Sequence, residues 1–171
     1  MRLAVLVVAC AACGAAAPVR RPPAPPIAAA AGGSVVVDGD ATFLVVGDRR
    51  LRVAPASKAD ARLAPVTVDG RTAWRIDLSV AEAGHFARRE ILAEAGPSGE
   101  LVKTFDRLVE SASDGLLLYA TAEPRDVDGD GRDELVVEER ASGGRRRTLV
   151  YRRGADGQFR TDGDSLWKVV P

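Results

Sequence analysis

The chain has 171 residues and carries 24 Lys and Arg against 24 Asp and Glu. That balance excludes the basic excess a nucleic-acid-binding domain normally shows. The two cysteines, Cys10 and Cys13, both stand near the start, which excludes a disulfide framework, a thiolate metal site and a cysteine nucleophile in the rest of the chain. Aromatic residues are only 5% of the total, so any core must be built from Val, Leu, Ile and Ala. Such a core buries less area per residue than an aromatic one, and an added source of stability would matter to it.

The first elements read as an address. Met1-Arg2 is a short positive start and Leu3–Ala9 an unbroken apolar run. The run is too short to span a bilayer, which takes about 20 apolar residues. It has the form of a secretory signal over residues 1–13. Its end resembles the lipobox of bacterial lipoproteins, in which the Cys becomes the lipidated N-terminus. Two frames stay open: Val7-Val8-Ala9-Cys10 has the aliphatic residue three before the Cys, and Cys10-Ala11-Ala12-Cys13 leaves a longer apolar run and puts Gly14 next. The resemblance implies lipidation at Cys13 or Cys10, export, and attachment to a membrane through a lipid. Residues 14–33, rich in Pro and Ala, read as a tether, because Pro favours an extended chain and cannot continue a helix or ladder.

From residue 34 to 171, short apolar runs alternate with turn signals. Val35–Val37 meets Asp38-Gly39-Asp40, and Thr42–Val46 meets Gly47-Asp48. Leu51–Val53 follows, then Val66–Val68 before Asp69-Gly70. In Thr72–Val80 the residues Trp74, Ile76, Leu78 and Val80 alternate with Arg75, Asp77 and Ser79, which marks a strand with one buried face. Ala81–Arg89 is rich in Ala and Glu and leaves room for a short helix. Glu90–Ala95 and Leu101–Phe105 read as a hairpin around Gly96-Pro97-Ser98-Gly99. Leu116–Ala120, Leu135–Glu139, Thr148–Arg152 and Leu166–Val170 complete the set. The expected fold is all-β, of mainly antiparallel strands in a small sandwich, roll or blade-like sheets.

The stretch that carries chemistry is Asp126-Val127-Asp128-Gly129-Asp130-Gly131-Arg132-Asp133-Glu134. Carboxylates at alternate positions converge only if the chain wraps tightly, and Gly131 permits the turn. Calcium takes six to eight oxygens at about 2.3–2.6 Å. Asp126, Asp128, Asp130, the Arg132 carbonyl and Glu134 would supply most of that shell. An EF-hand is excluded, because Val137 stands where the bidentate acid belongs and a strand-like run follows the loop.

At these residues the chain resembles the FG-GAP and VCBS-type repeats, calcium hairpins of integrin alpha-chain propellers and many bacterial surface proteins. It matches their pattern at Asp126, Asp128, Gly129, Asp130, Gly131, Glu134 and Leu135, and Leu149–Phe159 resembles the strand and turn that close a repeat. The resemblance spans residues 116–159 and implies a calcium hairpin. It does not extend to a complete propeller: one acidic loop stands where several are needed, and Asp38-Gly39-Asp40 and Asp162-Gly163-Asp164 lack the alternating carboxylates.

Other candidates are weaker. His85, the only histidine, follows Asp77 and Ser79 closely, but no nucleophile elbow accompanies it. Arg145–Arg147 and Arg152-Arg153 form the densest basic patch, which cross-strand pairing with Glu138 and Glu139 would satisfy. Trp74 and Trp167 suit a core better than a sugar platform. The expected function is a structural or binding role in the cell envelope, for a calcium-stabilised β domain whose partner would be an envelope protein or polysaccharide. Two alternatives remain: an envelope hydrolase using surface carboxylates, and an accessory subunit that completes a partner's sheet.

Overall fold

A computed structural model describes residues 28–30, 32–55, 59–82, 85–113, 116–161 and 168–169. These residues form thirteen strands, and no helix occurs among them. The strands run β1 Ala28–Ala30, β2 Gly33–Asp38, β3 Ala41–Val46, β4 Arg49–Pro55, β5 Ala59–Val68, β6 Arg71–Glu82, β7 His85–Ala95, β8 Leu101–Ser113, β9 Leu116–Arg125, β10 Glu134–Ala141, β11 Arg145–Arg153, β12 Phe159–Thr161 and β13 Lys168–Val169. The expected all-β, antiparallel architecture is what the chain adopts. Its strands make two open sheets, neither of them a closed barrel or a propeller.

From β1 to β4 and from β5 to β12 each strand pairs with its neighbours in sequence, so both sheets are meanders. β1 to β4 form the smaller one and β5 to β12 the larger, with β13 added to β11. Turn chemistry explains the registers. Asp69-Gly70 joins paired residues Val68 and Arg71, and both turn residues have positive φ, 52° and 69°. That is a type I′ turn, whose twist matches the flanking strands. Gly39 and Gly47 serve the tight β2–β3 and β3–β4 turns in the same left-handed region.

The larger sheet is bent into two wings. β8 and β9 are laddered only from Glu110↔Tyr119 to Ser113↔Leu116. Beyond that short hinge they diverge, and β5–β8 face β9–β12 across a core. Val68, Leu92, Phe105 and Val109 come from the first wing. Leu135, Val137, Leu149, Tyr151 and Phe159 come from the second. Phe105 meets Tyr151 edge to face, with centroids 5.3 Å apart. Against the outer side of the first wing lies the smaller sheet, sealed by Val35, Leu44, Val46 and Val53 over Trp74, Ile76, Ile91 and Ala93. Gly33 allows this close approach: a Cβ there would come within 3.2 Å of the Trp74 indole.

β7 is thus the middle of three layers, which is why residues 90–94 are buried without alternation. Of the stretch 81–89, the described residues 81–82 and 85–89 are not helical: they form the end of β6 and the start of β7, paired from Glu82↔His85 onward. The pairing overrides the helical propensity of Ala and Glu, which is worth only tenths of a kcal/mol per residue. The smaller sheet also begins at Ala28, inside the stretch expected as tether, because β1 adds to the edge of β2.

The bend gathers four connections at the splayed end: the β5–β6 turn, the β7–β8 turn, the β9–β10 loop and the β11–β12 turn. The β10–β11 turn lies at the hinge end, where the Ser142 N–H donates to the Leu117 carbonyl.

Candidate metal loop and its surroundings

The β9–β10 connection is the acidic stretch 126–133. Its carboxylates cap its own backbone. Asp126 accepts from the N–H groups of Gly129 (2.7 Å) and Gly131 (3.0 Å). Asp128 accepts from Asp130 N at 3.3 Å, and Asp130 from Arg132 N at 2.8 Å. These bonds wind the loop tightly, with Gly129 and Gly131 at φ 79° and 83°. One oxygen from each of Asp126, Asp128 and Asp130 lies within 4.8 Å of the others, and all three residues are exposed. Carboxylates hold spare lone pairs after accepting one N–H, so this donor set suits a hard cation.

Glu134 stands beside that trio. It is buried at the start of β10, and its Oε2 accepts from Val127 N at 2.9 Å, tying the loop's end to its beginning. Arg132 is exposed in the loop. Arg152 borders it, 3.7 Å from Asp128 and 3.9 Å from Glu134. Cys10 and Cys13 lie outside the described residues, as do Trp167 and Asp162-Gly163-Asp164.

Sequence reasoning did not foresee how the loop is anchored. Asp133 Oδ2 accepts from Asp69 N at 2.9 Å, and Asp69 Oδ1 accepts from Asp133 N at 2.6 Å. This reciprocal clamp joins the loop to the β5–β6 turn across the wings. Arg153 extends it, donating to Asp69 at 2.8 Å and to both oxygens of Glu94 at 2.8 and 3.1 Å. Burial of Arg153 works against its charge, but its bonds to Glu94 and then Asp69 outweigh that and raise its pKa above the ordinary value.

Two further ion-pair groups stitch the wings. Glu139, almost wholly buried, accepts from Arg107 and Arg147, and Arg107 also donates to the Tyr151 hydroxyl. Arg75 donates to the Ala122 carbonyl of β9 at 3.0 Å. Its Nε also lies 3.0 Å from Glu90 Oε1 without hydrogen-bond alignment, so the contact is Coulombic only. Burial pushes the Glu90 carboxyl up to about 7, against the opposing pull of Arg75. The basic patch seen in the sequence is therefore divided. Arg147 points to Glu139 and Arg153 to Glu94, while Arg152 flanks the loop.

His85 is exposed at the start of β7, at the hinge end, and Asp77 is bound to Arg88 at 3.0 Å. Asp60, Asp77 and Glu110 line a cleft of about 770 Å³ at that end. Two of these acids are spent on Arg88, and Glu90 is not in the lining. Trp74 is a core residue. Leu117 and Tyr119 are the large apolar side chains most exposed near the hinge.

No family model matches the chain, and no curated protein or solved structure matches it.

Proposed function

We propose that the loop binds Ca²⁺ through Asp126, Asp128 and Asp130, with Glu134 and the Arg132 carbonyl as further donors. On this reading the protein is an exported, lipid-anchored envelope module in which calcium stabilises a β scaffold for a structural or binding role. The observation that carries it is the convergence of three exposed carboxylates on a loop whose backbone is already wound by its own Asp side chains. The FG-GAP-like pattern of residues 126–135 and the lipobox-like N-terminus support the same reading.

Calcium supplies positive charge where the carboxylates would otherwise repel one another. The clamp between Asp133 and Asp69 would carry that stabilisation into both wings. Extracellular calcium modules bind at about 10⁻⁴–10⁻³ M. With a Kd near 0.1 mM and calcium near 1 mM, mass action contributes about 1.4 kcal/mol.

Asp128→Ala is the direct test. The variant should lose about 1 kcal/mol in millimolar calcium and almost nothing in metal-free buffer. Equal losses under both conditions would remove the metal from the account.

A further inference from the structure

Beside the acidic loop, the β5–β6 and β11–β12 turns enclose a cleft of about 520 Å³ lined by three arginines, Arg71, Arg132 and Arg153, and by one acid, Asp69. The three cations are not equivalent. Arg153 is committed to Asp69, Glu94 and the Gly157 carbonyl, and its guanidinium stacks over Phe159 at 4.4 Å. Asp69 is equally committed, to Arg153 and to the Asp133 N–H. Arg71 and Arg132 are exposed, and neither has an acidic partner among the described residues.

Two guanidiniums that make no ion pair among the described residues therefore share one concave site with a third that is locked in place. Each offers a planar fork of donors that matches a carboxylate or phosphate better than an ammonium would. We propose that this cleft is an oxyanion-binding site, with Arg71 and Arg132 as its two arms and Arg153 as its fixed floor. Arg71, Arg153 and Ala155 also line an adjoining cleft of about 850 Å³. Thr72 and Gln158 line it too, with Thr104, whose hydroxyl is bonded to Glu94, and with the acids Glu94, Glu100 and Asp156. Both volumes fall in the range of small-molecule sites, and the second has room for the uncharged remainder of a larger ligand. The proposal does not require the loop to hold calcium.

The test is a calorimetric titration of the full chain, with amide shifts mapped by NMR. Buffer is passed over a chelating resin, so that neither divalent cations nor a soluble anionic chelator competes. Inorganic phosphate is the probe in one arm and glucuronate in the other, with glucose as the neutral control. The expected result is saturable binding at a Kd on the order of 1 mM, with shifts at the Gly131, Gly154 and Ala155 amides. Arg71→Gln with Arg132→Gln should weaken it about tenfold or more, and added salt should weaken it too. Arg71→Lys, which keeps the charge and loses the fork, should fall between. The tighter probe identifies the source of the oxyanion as free phosphate or an acidic sugar. Absence of saturable binding in both arms, binding unchanged in the double variant, or glucose binding as well as glucuronate would each overturn the proposal. Because metal is absent throughout, a failure here is separable from a failure of the calcium reading.

Discussion

Replacing Arg153 with Leu probes the polar link between the wings. The substitution deprives Glu94, a buried side chain, of both its guanidinium bonds. Among the described residues only the Thr104 hydroxyl, at 3.3 Å, would remain to it. Asp69 would lose one bond but keep the Asp133 N–H. Removing one partner of a buried ion pair costs about 3–5 kcal/mol, because the other charge is left uncompensated. Asp69 is better solvated than Glu94, with 16% of its side chain exposed against 5%. The lower end of that range applies, about 3 kcal/mol, or about 10 °C in Tm for a domain of this size. Urea unfolding at pH 7, with wild type and variant side by side, measures it. Adding Glu94→Leu should restore at least half of the loss, since an apolar replacement of both partners is often neutral. A loss under about 1 kcal/mol, or a double variant no more stable than the single, would refute the view that this pair is buried and structural.

Glu90 makes a pH prediction. Its carboxyl stands at about 7 in the fold against an ordinary 4.5. The folded state therefore holds this proton more tightly than the unfolded chain. Its contribution is fully present below pH 4.5 and is lost as pH rises through about 7, a decline on the order of 3 kcal/mol. Stability of Glu90→Gln should fall less across that window, and parallel slopes for the two proteins in pH-stepped urea melts would exclude Glu90 as the cause. Arg152 is a competing cation 3.7 Å from Asp128. With 46% of its side chain exposed the contact is screened, so Arg152→Gln should tighten calcium binding only about two- to fivefold, as read by calorimetry. Weaker binding in that variant would mean that Arg152 supports the loop rather than opposing the metal.

The strands were legible because their alternation is a local property. Trp74, Ile76 and Leu78 announce a buried face, and Asp69-Gly70 announces its turn. The bend between β8 and β9 was not legible, since it depends on where the ladder between them stops. Nor was the burial of Glu90, Glu94 and Glu139. In the sequence each looks like a solvated acid, and each is inside because an arginine from another strand reaches it. The acidic loop was legible down to its spacing, while its anchor was not. Asp133 read as one more acid of the stretch, and Asp69 as a turn residue 64 positions away. Only the register of the wings brings the two together. The same limit hid the arginine cleft, whose arms Arg71 and Arg132 belong to different wings.

The most direct test of the central claim is thermal unfolding of the wild-type protein in metal-free buffer, in millimolar magnesium and in millimolar calcium. Calcium should raise the midpoint by about 4 °C, from the 1.4 kcal/mol above. Magnesium should do much less, because it demands a smaller and more regular shell. Midpoints that coincide in all three buffers would contradict the account and leave residues 126–134 as a solvated acidic turn on a β scaffold.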